Sequence, residues 1–147
     1  MPRAKKSSKK KLIRPYRTKK RLLARSIIRK HNAKREPSGL ELAVYKMLDE
    51  AGITYRKEKQ IGECHVDIFF APKTVIELNG CHWHSCPICH KGPMTAKMRH
   101  QQQKDANRYA FLRSTGCVLI VIWEHDVRDH PERVRAMLKG IYESTLA

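Results

Sequence analysis

The sequence predicts an α/β domain, a central sheet with helices on both faces, preceded by a basic arm and tied by a metal-binding loop. Three observations predict it. Segments with helical and strand patterning alternate from residue 36 onward. Three of the five cysteines fall within nine residues, Cys81 to Cys89. The first 35 residues contain no acidic side chain before Glu36.

Charge sets the class of partner. Lys and Arg total 31 against 14 Asp and Glu, a formal net charge of +17 on 147 residues. Such a surface repels itself unless a polyanion neutralises it, and nucleic acid is the expected polyanion. No apolar run is long enough to span a bilayer, and the N-terminus lacks the apolar core of a secretory signal. A cytoplasmic or nucleoid-associated protein without a membrane partner is expected. An odd cysteine count without an export signal points away from a disulfide scaffold and toward metal.

The elements follow in order. Lys5-Lys6, Lys9-Lys10-Lys11, Lys19-Lys20-Arg21 and Arg29-Lys30 mark residues 1–35 as the arm. Residues 1–18 are expected to be disordered, and 19–32 to form a basic helix. The domain spans 36–147. Pro37 and Ser38 start a helix in which Leu40, Val44, Met47 and Leu48 share one face, and Gly52 stops it. Ile53–Arg56, His65–Phe70 and Thr74–Leu78 read as strands, with Ala71-Pro72-Lys73 turning between the last two. Residues 79–94, rich in Cys, His, Gly and Pro, form a loop. Residues 95–115 are helical and end at Gly116. The apolar run Cys117–Trp123 is expected to be a strand buried on both faces. Residues 131–143 form a last helix, with Pro131 in its first turn and Val134, Met137, Leu138 and Ile141 inward.

The loop carries metal-binding chemistry. Cys86-Pro-Ile-Cys89 lets two sulfurs reach one tetrahedral ion, and Cys81 supplies a third from the loop entrance. The fourth ligand comes from His90, His82 or His125; His125 follows the apolar strand, whose end can meet the loop. A closed Cys3His site of this kind is structural zinc, and it contributes folding energy that a small core needs.

Carboxylates on neighbouring strands carry a second kind of chemistry. Asp67 interrupts an apolar strand, where a carboxylate needs a partner or a metal. Alternation puts Asp67 with Phe69 on one face and Val66 with Ile68 on the other. Glu77 and Asn79 share a face of the next strand. An Asp and a Glu on adjacent strands suit a hard cation with oxygen ligands. The pattern is close to PD-(D/E)xK, with Asn79 in place of the Lys.

Beyond these readings, Gly80-Cys81-His82-Trp83-His84 resembles the Gly-Cys-Phe-Trp-His segment of the very-short-patch-repair (Vsr) endonucleases. Lys104-Asp105-Ala106-Asn107-Arg108, Leu112, Gly116, Val118–Val121 and Trp123-Glu124-His125 are similar to that family's downstream run. Ser38-Gly-Leu-Glu41 is similar to its first helix. The resemblance spans residues 36–130 and implies a restriction-endonuclease-like three-layer core with a mixed central sheet. Related homing endonucleases carry a Glu, Asp, His, Asp quartet, matched here by Glu41, Asp67, His84 and Asp105.

The resemblance implies a magnesium-dependent DNA endonuclease acting on duplex DNA, with no small-molecule substrate. Asp67 would ligate Mg2+, His84 would act as general base, and Asp105 would orient His84. Glu41 would hold waters of the metal, and Glu77 would add a ligand. His82 and Trp83 stand where the family wedges aromatic side chains into DNA. Asn79 joins them as a DNA-contacting residue, and Lys19, Lys20, Arg21 and Arg25 would clamp phosphates. One active site per chain implies a monomer in solution. Two departures bear on T:G mismatch specificity: the Cys89–Asp105 stretch is short, and the arm lacks a Ser-x-x-Met pattern. They leave room for a homing or phage-type enzyme. The competing reading is a non-catalytic zinc-stabilised nucleic-acid-binding module, which accounts for charge, arm and zinc loop but not for the quartet.

Overall fold

The computed structural model describes residues 35–147. The expected arm over 1–18, the basic helix over 19–32 and the phosphate-clamp residues Lys19, Lys20, Arg21 and Arg25 lie outside the described residues. Everything below concerns the compact unit Pro37–Ala147.

Helix α1, Gly39–Glu50, begins at a capping box. The Ser38 hydroxyl accepts the Glu41 N–H at 3.2 Å, and the Glu41 carboxylate accepts the Ser38 N–H at 2.6 Å. Two of the unpaired N–H groups at the helix start are thereby satisfied, worth about 1 kcal/mol. Gly52 takes a left-handed φ of 65° just after the helix, as its stop signal requires.

Three antiparallel strands follow: β1 (Arg56–Ile61), β2 (Cys64–Phe70) and β3 (Thr74–Asn79). Helix α2 (Ala96–Ser114) crosses over to β4 (Val118–Trp123), which pairs with β3 in parallel. The sheet order is β1-β2-β3-β4. A short helix α3 (Glu124–Asp129) and helix α4 (Pro131–Leu146) complete the domain. The sheet is mixed and covered on both faces. Val44 and Leu48 of α1, Val127 of α3, and Val134 and Leu138 of α4 pack on Ile68, Phe70, Ile76, Leu78 and Ile122. Leu112 of α2 packs on the other face, against Val66, Phe69 and Val75. Among the described residues, no helix is long and apolar enough to cross a membrane.

Four expectations are corrected. The first strand is the charged run Arg56–Ile61, not Ile53–Arg56. Ile53 instead is buried behind α1, where its N–H donates to the Leu48 carbonyl at 3.0 Å. β1 is an edge strand, where charge is tolerated because it blocks pairing with another chain. Its lysines still pack: Lys59 Nζ lies 3.6 Å from the Phe69 ring centroid, and Lys57 Nζ 4.1 Å from that of Tyr45.

The apolar strand β4 lies at the opposite edge and only Ile122 in it is buried; β3 is the strand covered on both faces. Met137 is 39% exposed rather than inward, since Val134 and Leu138 already fill the inner face of α4. The alternation of β2 slips at Asp67: Val66 joins Phe69 on the α2 side, and Ile68 joins Phe70 on the other. Opposite Asp67 in the β1–β2 register stands Glu58, with a left-handed φ of 47°. The Asp67 carboxylate accepts the Leu78 N–H of β3, so its side chain lies along the sheet and the two-residue alternation breaks there.

Candidate functional site

The site grows from the place where β2 and β3 part. Their ladder pairs Phe70 with Thr74, Phe69 with Val75 and Ile68 with Ile76, and then stops. The next positions are Asp67 and Glu77. Here the Asp67 carboxylate, not a backbone carbonyl, accepts the Leu78 N–H at 2.7 Å. On β2 itself the His65 carbonyl accepts from Nη2 of Arg108, which reaches in from α2. The same guanidinium grips Glu77 at two points, Nη2 to Oε1 at 2.9 Å and Nε to Oε2 at 3.1 Å. Side chains thus complete the strand hydrogen bonding at the fork. Burial pushes the Glu77 carboxyl up from the usual carboxylate range, and the Arg108 pair offsets only part of that rise. The neighbouring Asp67 carboxylate adds to the rise.

Helix α2 brings the rest. Its inner stripe is Gln101, Asp105, Arg108, Tyr109 and Leu112, spacings that share one helix face, yet only Leu112 in the helix is buried. Tyr109 and the buried Asn79 exchange hydrogen bonds of 2.8 and 3.1 Å. Asp105 Oδ2 lies 2.8 Å from His84 Nδ1. Its other oxygen accepts from Gln101 Nε2 at 2.8 Å, one turn earlier. With both oxygens engaged, Asp105 fixes the imidazole plane. An Nδ1–H donated to Asp105 leaves Nε2 as the basic nitrogen. The ring stays accessible, with 27% of the side chain exposed. A small cavity of about 200 Å³ beside it is lined by Asn79, His84, Asp105, Tyr109 and Trp123.

His84 is held by the turn that bears the cysteines. Its N–H donates to the Gly80 carbonyl at 3.1 Å, and that of Cys86 to the Cys81 carbonyl at 3.0 Å. Between them Ser85 is buried with a left-handed φ of 52°, a conformation that costs on the order of 1 kcal/mol and needs surrounding structure to hold it.

That surrounding structure is a cluster of side chains that could hold a metal ion. One donor atom from each of Cys81, Cys86, Cys89 and His125 lies within 4.8 Å of all the others. His125 Nδ1 is 3.3 Å from the Cys81 sulfur and 3.5 Å from that of Cys86. Ligands around one tetrahedral zinc, with bonds of about 2.0–2.3 Å, stand at comparable separations, so the donor set fits that ion. Of the three candidate histidines, His125 completes the set. Its Nε2 lies 3.4 Å from Asp126 Oδ1, a carboxylate placed to fix the ring. Glu124 accepts the Cys81 N–H at 2.9 Å and ties the loop to the end of β4. The Cys3His cluster can hold a structural metal such as zinc.

The remaining predicted residues divide by exposure. Glu41 is 4% exposed and closes the capping box of its own helix. The Asn79 amide is engaged by Tyr109, and both Glu77 oxygens by Arg108. Each of these three side chains has a hydrogen-bond partner inside the domain. Trp83, in contrast, is 73% exposed, with His82 edge-on to it at 5.3 Å between centroids. Both line a larger hollow of about 780 Å³, together with Lys97, His100 and Lys104 of α2.

Arg108, Tyr109, Gln101 and Glu124 were not among the sequence-predicted site residues. A sequence signal for three of them existed. The stripe 101, 105, 108, 109, 112 has helical spacing but is polar, which marks a helix that packs through specific pairs rather than apolar area.

No family model matches this chain. Over 58% of its length it is 30% identical to the type II nicking enzyme V.NaeI of Lentzea aerocolonigenes, spanning 59% of that protein. Structural comparison finds the catalytic domain of the homing endonuclease I-Bth0305I, with a TM-score of 0.57 at 22% identity. The match covers 76% of this chain and 100% of that domain. This chain has the fold of that catalytic domain. The mixed sheet with helices on both faces, expected from the sequence, is thereby established.

Proposed function

We propose that this chain is a metal-dependent DNA endonuclease of the Vsr-like kind, hydrolysing a phosphodiester bond in duplex DNA. The observation that carries the reading is the His84–Asp105 contact of 2.8 Å, braced by Gln101, beside the strand fork that bears Asp67. A base held by an orienting carboxylate next to a carboxylate-bearing strand is an arrangement for activating water. The named activities of V.NaeI and I-Bth0305I, a nicking enzyme and a homing endonuclease, agree with it.

His84 Nε2 takes the proton of the attacking water. Asp105 stabilises the imidazolium that results and holds the ring in place. Asp67 would hold Mg2+, which supplies charge neutralisation at the phosphate and the leaving oxygen. The donor chemistry fits, because Mg2+ prefers oxygen, keeps several waters and takes few carboxylates. Among the described residues, the cysteine cluster is the one group of three or more His, Cys, Asp and Glu donors that converges. It would hold zinc and keep the His84 turn rigid. Glu41 would steady waters of the metal from the first helix.

Duplex DNA would be gripped by Lys19, Lys20, Arg21 and Arg25 through its phosphates and by Trp83 and His82 at its bases. A chain with one such centre would nick as a monomer. Incubation of supercoiled plasmid with the zinc-loaded protein, with and without Mg2+, tests the reading. Mg2+-dependent nicking that His84→Ala abolishes supports it. Tight binding without cleavage of plasmid or mismatched duplex overturns it in favour of a binding module.

A further inference from the structure

Two carboxylates face each other across the fork, since the β2–β3 register that pairs Ile68 with Ile76 brings Asp67 next to Glu77. Sequence alone pairs them as ligands of one cation. The structure already contains a cation at that place. Arg108 binds both oxygens of Glu77, and the Glu77 side chain is only 8% exposed. Its fork takes one lone pair from each Glu77 oxygen and sets a positive charge where a divalent cation would have to approach. Arg108 is anchored further by the His65 carbonyl on the opposite strand, so releasing Glu77 would also leave that carbonyl unpaired. Arg108 and Asp105 lie three residues apart on α2, which ties the guanidinium to the helix that orients His84.

We infer that Arg108 is a positioning residue that acts as a built-in counter-cation, withholding Glu77 from divalent metal and leaving Asp67 as the single metal-binding carboxylate of the fork. The inference rests on the proposed role of Asp67 in the endonuclease reading. It gives Arg108 a part in metal stoichiometry, apart from its contribution to stability.

Binding of Mn2+, followed by the loss of free-ion EPR signal on the full, zinc-loaded chain, tests it. Three proteins are compared: wild type, Arg108→Met, and the charge-balanced pair Arg108→Met with Glu77→Gln. Freed from its partner, Glu77 becomes a ligand. Arg108→Met should therefore bind Mn2+ at least tenfold more tightly than wild type, or bind one more equivalent. The double variant, which removes a neutral pair, should return to within about threefold of wild type. Should Arg108→Met fail to fold, the double variant still decides, because it leaves no unpaired buried charge. A tenfold loss of Mn2+ affinity in the double variant means Glu77 is a ligand in the wild type and overturns the inference. So does a folded Arg108→Met protein with unchanged affinity and stoichiometry. Plasmid nicking by the wild type, scored in parallel, judges the endonuclease reading separately. Mn2+ binding with this pattern but no nicking keeps the inference and removes the activity.

Discussion

Gln101 and His84 both bond to Asp105, one to each carboxylate oxygen at 2.8 Å. The amide on one side and the imidazole on the other leave Asp105 no freedom to rotate. Asp105→Asn should lower the nicking rate about 10²–10⁴-fold, because an amide NH2 facing Nδ1 favours the wrong tautomer. The combined Asp105→Asn/His84→Ala protein should be no slower than His84→Ala alone, since the two act as one unit. Single-turnover plasmid assays measure both. Additive losses would mean that Asp105 works independently of His84.

Removing zinc and removing Mg2+ should have separable effects. A strong zinc chelator, or Cys86→Ser, should abolish the cooperative melt seen by circular dichroism, because the buried Cys86 of the loop lies 3.5 Å from His125, just past β4. A weak chelator specific for Mg2+ should stop cleavage and leave the melt unchanged. Metal analysis should return one zinc per chain. A melt indifferent to zinc removal would refute a structural role for the cluster.

The Arg108–Glu77 pair makes a stability prediction with a pH sign. Arg108→Met leaves a carboxylate that is 8% exposed without its cation. The cost should be about 2–3 kcal/mol, below the ~3–5 of a fully enclosed pair, because Arg108 retains 30% exposure. Burial already raises the Glu77 carboxyl above 4.5, its ordinary value, and losing Arg108 raises it further. A raised folded-state value means the native protein binds the proton more tightly than the unfolded chain. Stability from this group is therefore present at low pH and lost as pH rises through the folded-state value. Urea midpoints should show Arg108→Met closer to wild type at pH 5 than at pH 8.

Trp83→Ala should separate binding from folding. At 73% exposure the side chain contributes little to the core, so the melt should change by less than about 0.5 kcal/mol. DNA affinity should fall by about 1–3 kcal/mol if the ring stacks on a base. Gel-shift titration beside a thermal melt reads both. A large drop in melting temperature with unchanged affinity would reassign Trp83 to the loop.

Salt titration addresses the arm. Alanine at Lys19, Lys20, Arg21 and Arg25 together should make the slope of log K against log salt shallower by roughly 3–4, about 0.9 for each phosphate no longer neutralised. An unchanged slope would place the phosphate-binding charges elsewhere, for instance on Lys97 and Lys104.

What the sequence disclosed was mostly what spacing and burial disclose. Cys86-x-x-Cys89 with Cys81 announced the cluster, and His125 at the end of an apolar strand supplied its fourth member. The pairing of His84 with Asp105 was legible through resemblance to a family, not through periodicity, since the two stand 21 residues apart. β1 escaped because its charged run has no apolar alternation to detect. α3 escaped because six residues, Glu124–Asp129, are too few to develop a helical stripe. Apolar content overstated the burial of β4, because an edge strand can be as apolar as a central one. Arg108 stood in the polar stripe of its helix, but its partner was not legible, because Glu77 lies 31 residues away on another element.

The polar stripe of α2 sets how that helix can move. A helix resting on apolar side chains can slide a fraction of a turn while keeping most of its buried area. Here three bonds to three separate partners, Asp105 to His84, Arg108 to Glu77 and Tyr109 to Asn79, must all be made at once. A shift of one residue, about 1.5 Å along the axis, strains every one of them together. The helix therefore has one seated position on the sheet, and leaving it disengages the base, the fork and the cavity wall in a single step.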